Sequence, residues 1–467
     1  MSRAESKTLT LRQALELGRE RFESGDLAGA RQVCSQVLKA QPELGTALHL
    51  MGLIEYQEGD KSTGVALLER AAERAPEDLQ LKINLARMLQ KLGRAAEAVT
   101  LAEAALRLDP KSAAARDMAL TSYRVLARRE HNKSRLAASM RAARRALELG
   151  PDDAKAHFQY AESLLLAGLL DRGFAEYEWR WKIEDFPNKP QKLGPPLWDG
   201  GPLDGKTILL HPEQGLGDSI QFCRYVPLLA ERGAKVVMAV GPALHRLFGS
   251  LEGLAGMIGL KERLPDFDCH APIMSLPHLF GTTLETIPGG RPYLTPPADA
   301  VARWSERFAG LSGLRIGVAW GGSAKHPNDK RRSIDPALLR PLVVLPGTSW
   351  VSLQTAERRA ELAVFEGLEL LDITDELGDF AETAAIAANL DLVLCVDTAL
   401  GHAAGATGTP AWLMLSQPSD WRWMIGSSDT PWYHGHRLFR QPVRDDWPPV
   451  IEALKRALTE EAEAKRA

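Results

Sequence analysis

Three stretches of the chain combine residue types and spacings that could do chemistry. In DLVLCVDTALGHAAGATGTPAWLML (391–415), an apolar run, Leu392 to Val396, ends at Asp397-Thr398. Small residues follow from Ala399 to Ala406, and Gly408 and Pro410 precede a second apolar run, Ala411 to Leu415. Apolar runs of that length suit buried parallel strands, Asp-Thr starts a helix and glycine with proline stops one, so the stretch predicts one βαβ unit. The first amides of a helix lack intrahelical partners and carry the positive end of its dipole, so a phosphate can sit on the Asp397–His402 turn. Gly401, Ala403 and Ala404 are expected to keep the surface low for an approaching ligand. A capped helix in any α/β sheet would read the same way.

The second stretch, HPEQGLGDS, follows a predicted strand at Thr207–Leu210 and precedes a predicted helix, Ile220–Ala230. Gly215-Leu216-Gly217 permits a tight turn, and Gly217 lets the backbone approach a ligand; the third glycine of GxGxxG is absent, which argues against a dinucleotide fingerprint. Asp218 falls where an open α/β sheet places its ligands, and a carboxylate there can take the proton from an attacking hydroxyl. An N-cap aspartate is the other reading, and Glu213 is a second candidate base. The third stretch, GGSAKHPNDKRRSI, follows a predicted strand at Leu314–Trp320 and gathers Ser323, Lys325, His326, Asn328, Lys330, Arg331 and Arg332. Cations and hydrogen-bond donors in a strand-end loop suit a diphosphate whose negative charge develops as it leaves. Gln354 ends a further strand, Trp350–Leu353, and a strand at Glu369–Ile373 comes next. Asp266-Phe267-Asp268 spells a DxD, a short pattern common by chance, and no metal site is expected from it.

These stretches need parallel sheets to carry them, and strands alternating with helices from residue 205 onward predict two α/β halves with a cleft between them. Upstream, the sequence repeats. Pro42, Pro76 and Pro110 are 34 residues apart, as are Gly25, Gly59 and Gly93. Each unit reads as two antiparallel helices, with small residues such as Gly18, Gly52, Ala30 and Ala98 at the crossings. Pro151 comes 41 residues after Pro110, so the fourth unit holds about seven extra residues; its Lys133–Arg145 segment carries five basic residues, a solvated face or a dock for an acidic partner. A fifth unit ends in FAEYEWRWKIEDF, whose aromatics are expected to seal the helical stack against the next domain.

With 467 residues and a net charge of −3, the chain is long enough for about three domains and gives no support for coating nucleic acid. Cys34, Cys223, Cys269 and Cys395 form no CxxC pair, which suits a reducing compartment. No apolar signal core and no 18-residue apolar run is present, so a cytoplasmic protein without a transmembrane segment is expected. The expected domains are a repeat domain (1–185), a proline- and glycine-rich linker (186–204), two α/β halves (205–310 and 311–445) and an amphipathic C-terminal helix (446–467).

The 34-residue pattern resembles the tetratricopeptide family. Residues 205–445 resemble the family 9 glycosyltransferases, the group of the lipopolysaccharide ADP-heptose heptosyltransferases, through GLGDSIQFCRYVPLL, RIGVAWGGS, the HPNDKRRSI loop and DFAETAAIAANLDLVLCVDTALGHAAGATGTPAWLML. The whole is similar to bacterial tetratricopeptide proteins ending in such a domain, and in architecture to protein O-GlcNAc transferases. The resemblance implies an α-solenoid followed by a GT-B fold of two Rossmann-like α/β domains. It also implies metal-independent, inverting transfer of a sugar from a nucleotide-diphospho-sugar, with no cofactor, to a protein or glycan acceptor that the repeats help bind. On it, Asp218 falls at the catalytic base, Lys330 near the lysine that meets the diphosphate, and Thr398, Ala399, Gly401 and His402 on the phosphate-binding helix start. The family's Asp-Thr-Gly-Pro is Asp397-Thr398-Ala399-Leu400 here, and a side chain in place of that glycine narrows the diphosphate site. An inactive nucleotide-sugar-binding scaffold is the alternative.

Overall fold

The computed structural model describes residues 9–187, 193–326 and 328–466; part of the expected linker and Pro327 of the basic loop lie outside them. The chain divides into two compact units, one of residues up to Glu130 with Ala137–Gln159, the other of His131–Leu136 with the residues from Tyr160 on.

Helices run consecutively from Leu11 to Tyr177: α1 (Leu11–Glu23), α2 (Leu27–Ala40), α3 (Gly45–Glu58), α4 (Lys61–Arg74), α5 (Leu79–Lys91), α6 (Ala95–Leu108), α7 (Ala113–Asn132), α8 (Leu136–Leu149), α9 (Ala154–Leu166) and α10 (Leu170–Tyr177). The Gly-Asp turns do two jobs. Gly25 and Gly59 take positive φ (86° and 110°), which ends one helix at no steric cost. Asp26 and Asp60 then cap the next helix, accepting from the amides of Gly29 and Thr63 at 2.9 and 3.0 Å. Where α3 crosses α4, Gly52 faces Gly64: a Cβ on either would lie 2.8 Å from the other's carbonyl oxygen. The extra residues of the fourth pair lengthen α7 to 20 residues, against 13 in α5. Leu48, Leu68, Leu81, Leu85 and Ala102 lie at the core of this stack.

In the second unit, α10 runs into a 3-10 turn, Glu178–Lys182. Two parallel sheets come after it. The first holds β1 (Thr207–His211), β2 (Lys235–Val240), β3 (Leu254–Gly259) and β4 (Cys269–Pro272) in the order β3-β2-β1-β4. The second holds β5 (Leu314–Ala319), β6 (Thr348–Ser352), β7 (Leu370–Asp372), β8 (Leu392–Val396), β9 (Ala411–Leu415) and β10 (Arg437–Arg440). Its order, β10-β9-β8-β5-β6-β7, is the doubly wound α/β arrangement read from one edge to the other. The fold is thus an α-solenoid followed by two Rossmann-like α/β halves, the GT-B arrangement.

Fully buried strands need continuous apolar runs, and β8 and β9 are buried at every residue. The helix Pro448–Arg466 covers the second sheet, placing Val450, Ile451, Leu454 and Leu458 in the same core as Ile316 and Leu394. In both sheets the chain reverses direction of winding beside the first strand, between β1 and β4 and between β5 and β8. The loops after those strands carry the three stretches with candidate chemistry.

The aromatic run at the end of the repeats is absorbed into this second unit. Phe174 packs edge-on against Phe222 and Trp421, with ring centroids 6.5 and 5.6 Å away, and Tyr177 lies 6.3 Å from Trp421. Arg180 is fully buried. Its Nε and Nη2 donate to Glu213 at 3.0 and 2.9 Å, and Nη2 also reaches Ser275 Oγ at 2.8 Å. Glu213 is therefore corrected from a candidate base to half of a buried ion pair, which also accepts the Met274 amide at 3.1 Å. The DxD likewise has a structural member, since Asp268 accepts from the Thr207 amide at 2.7 Å.

Candidate functional site

The turn after β1 is fixed from two sides. Glu213 is held by Arg180, and Gln214 Nε2 donates to Tyr177 Oη at 2.8 Å. Gly215 then caps the short helix Leu216–Phe222, and Asp218 in its first turn accepts the Gly215 amide on Oδ2 at 2.7 Å. The N-cap expectation is modified: Asp218 reaches back to the cap residue, the acidic half of a capping box. Its other oxygen, Oδ1, takes a hydrogen bond and ion pair from Arg422 Nη2.

Arg422 is the residue the sequence did not flag. It is buried, in a 3-10 turn, Trp421–Trp423, after β9. Its Nε donates to Gln221 Oε1 at 2.9 Å, its Nη1 to Asp420 Oδ1 at 2.8 Å, and its guanidinium lies 4.3 Å from the centre of the Trp421 ring. Only the local pattern Asp420-Trp421-Arg422-Trp423, two aromatics flanking a cation, hinted at it.

Gly217 brings the two halves together. A Cβ there would lie 2.9 Å from His402 Cδ2 and 3.4 Å from Ala399 Cα, so the starts of the helices Leu216–Phe222 and Ala399–Thr407 touch through it. The other small residues differ from expectation. Gly401 faces the sheet, where a Cβ would meet Leu413 at 2.8 Å, and Ala403 and Ala404 are buried, so these keep helix and sheet close and leave no low surface for a ligand. His402 is buried too. Its ring stacks on Trp423 at 5.2 Å, its Nδ1 shares a 2.8 Å hydrogen bond with Tyr433 Oη, and burial pushes its proton affinity well below the ordinary histidine range.

On the β5–β8 side, Arg332 Nη1 donates to the Asp397 carbonyl at 2.9 Å. Gly322 leaves the room this requires, since a Cβ on it would collide with the Arg332 guanidinium. Gln354 is buried and engaged: its Oε1 accepts the amides of Trp320 and Gly321 at 3.1 Å each, and its Nε2 donates to the Gly321 carbonyl at 3.1 Å. It shapes the glycine turn, and its amide is not presented to a ligand. Arg358, another residue the sequence reading passed over, holds the same turn through the Gly322 carbonyl at 2.8 Å and pairs with Asp329. Ser323, Asn328 and Lys330 are exposed on this loop.

Thr398 begins the helix Ala399–Thr407 without a side-chain cap, and its buried Oγ1, like Arg332 Nε, has no hydrogen-bond partner among the described residues. Burial, reinforced by the Asp420 carboxylate, pushes Asp397 up to about 6, against the pull of Arg422 and Arg332. His326 is held below its usual range, first by burial and then by Arg332, while Asp420, Asp329 and Asp218 act in the opposite sense.

Residues 49–113 match the tetratricopeptide repeat family. Over 501 aligned positions the chain is 26% identical to protein FlbA of Caulobacter vibrioides, covering 95% of this chain and 83% of FlbA. A glycosyl transferase family 9 structure from Veillonella parvula is 13% identical and overlaps 55% of this chain and 91% of its own, with a TM-score of 0.43. The structure of MamA MSR-1 C2 is 19% identical, overlapping 36% of this chain and 93% of its own at a TM-score of 0.30.

Proposed function

We propose that this chain is a glycosyltransferase that moves a sugar from a nucleotide-diphospho-sugar to an acceptor, a protein recruited by the repeats. One observation carries the reading: the Asp218 turn of the first sheet and the Asp397–His402 helix start of the second meet at Gly217, at the strand ends where such sheets bind ligands. In this reading the diphosphate lies against the Thr398 and Ala399 amides, with Arg332, Lys330, Ser323 and Asn328 supplying positive charge and donors. The acceptor oxygen attacks the anomeric carbon from the face opposite the diphosphate. The bond to the diphosphate oxygen breaks with its electron pair, and Asp218 takes the acceptor proton, so configuration inverts. No metal is called on, because the loop cations carry the leaving-group charge. No helix among the described residues is long and apolar enough to cross a membrane, and the cytoplasm is the compartment proposed.

A second reading, a nucleotide-sugar sensor without turnover, is favoured by the Asp218–Arg422 ion pair and by Ala399-Leu400 in the helix start. The pair does not close the site by itself. A carboxylate offers about four acceptor positions, and the protein donors on Asp218 are the Gly215 amide and Arg422.

Calorimetric titration of ADP, UDP and GDP and their sugar conjugates, into wild type and Lys330→Ala, tests the shared part of both readings. Binding of one nucleotide that weakens at least tenfold in Lys330→Ala, about 1.4 kcal/mol, is expected. Absence of binding to all of them would overturn both. Donor hydrolysis or transfer that is lost in Asp218→Asn with binding intact separates enzyme from sensor.

A further inference from the structure

The carboxyl ends of three adjacent strands in the first sheet carry an apolar strip that the sugar-transfer chemistry leaves unused. β3 ends at Gly259 and is followed by Leu260, and β2 ends at Val240 and is followed by Gly241. The turn after β1 carries Leu216, two residues before Asp218. These strands are neighbours in the order β3-β2-β1. Leu260 and Leu216 are 58% and 40% exposed. Their side chains meet over Gly241: a Cβ there would lie 3.8 Å from Leu260 Cδ1 and 3.9 Å from Leu216 Cδ2. Single exposed leucines are ordinary on a protein surface. Two that converge on a glycine at the strand ends where such sheets bind ligands form a shallow apolar seat.

Position and charge decide what the seat takes. A polypeptide that brings a hydroxyl to Asp218, beyond the end of β1, has the seat one strand away, over β2. Neighbouring strands lie about 4.8 Å apart and an extended peptide advances about 3.3 Å per residue, so one or two residues span that step. On the rim, Lys261 and Arg263 are exposed, and neither is in an ion pair among the described residues. Glu262, the acid between them, is turned inward and accepts the Gly259 amide at 2.9 Å. Two cations to one engaged carboxylate make this rim unfavourable for lysine or arginine on the bound chain.

We infer that this seat selects the acceptor: a serine or threonine of a polypeptide flanked, within about two positions, by a large apolar side chain that rests on Leu216, Gly241 and Leu260. Resting on the sugar-transfer reading, this adds Leu216 and Leu260 as the residues that choose its acceptor. The test supplies the full chain with the nucleotide sugar that binds it by calorimetry and with glycine-rich peptides holding one serine or threonine. Each peptide carries a single Leu, Phe, Asn, Asp or Lys at one position on either side, and mass spectrometry reads the added sugar. Leu and Phe peptides should be modified about tenfold more efficiently than Asn peptides, with the difference in KM and not in kcat, and Lys peptides least of all. In Leu260→Lys the Asp peptides should overtake the Leu peptides, while donor hydrolysis and the circular dichroism spectrum stay as in wild type. Equal rates for all peptides, the same ranking in wild type and Leu260→Lys, or faster transfer to an alkyl alcohol in phosphatidylglycerol vesicles than to every peptide would each overturn the inference with the transfer reading intact. Donor binding without transfer to any of these hydroxyls would instead overturn the transfer reading, and the inference with it.

Discussion

Asp218 and Arg422 are 204 positions apart in sequence and share one hydrogen bond. Arg422 also donates to Asp420 and Gln221, so its removal leaves the oxygen of the buried Gln221 without this donor and takes the cation from Asp218 and Asp420. Arg422→Met is expected to lower stability by about 3 kcal/mol, read by denaturant unfolding. Arg422→Lys should recover only part of this, because an ammonium cannot reproduce the planar fork. Asp397 gives a pH prediction. With its folded value raised to about 6 from an ordinary 3.8, the native state binds the extra proton, so its contribution favours folding at low pH and is lost as pH rises through about 6. The neutral form also repels a diphosphate less. Nucleotide-sugar affinity should therefore rise as pH falls from 7.5 to 5, and Asp397→Asn should flatten that profile. A wild-type profile already flat would show that the ligand does not face this carboxylate. Arg422 and Arg358 escaped the sequence reading because Asp218, Gln221, Gly322 and Asp329 lie far along the chain from them, and only folding brings them near.

Elements were legible in proportion to their burial. β8 and β9 were found at the bounds the structure gives them, because strands covered on both faces must be uninterrupted apolar runs. The strands β3 and β10, at sheet edges, were missed: LAGMIG carries two glycines and RLFR two arginines, which a half-covered strand tolerates and a buried one does not. The repeats were legible because their turn chemistry recurs. The small residues of 399–406 show the opposite failure, since composition says that something approaches closely but not whether it is a ligand or the sheet beneath. Two substitutions act at this scale. Gly52→Val drives a side chain into Leu68 and the Gly64 carbonyl, and should cost about 2 kcal/mol with the helical unit melting earlier. Gly322→Ala instead meets the movable end of Arg332, and should weaken nucleotide binding while leaving the unfolding midpoint nearly unchanged.

At the scale of the molecule, the division of the chain does not coincide with the end of its helices. Residues from Tyr160 on belong with the sheets. A fragment beginning at residue 186 would lack Phe174, Tyr177 and Arg180 and leave Glu213 buried without its cation. It should be insoluble or molten, whereas one beginning at residue 160 should unfold cooperatively, as followed by circular dichroism. A well-folded 186–467 fragment would show that the Arg180 network is dispensable.

That network also sets the terms on which such a chain could change partners over evolutionary time. The helices α1–α6 can be exchanged for another array, as a cartridge is, provided the recombination joint falls before Ala113, because His131–Leu136 and the residues from Tyr160 on belong with the sheets. A joint placed after Lys182 would carry away the residues that grip the Glu213–Asp218 turn, so new specificity and the old turn geometry would be inherited together only through the earlier seam.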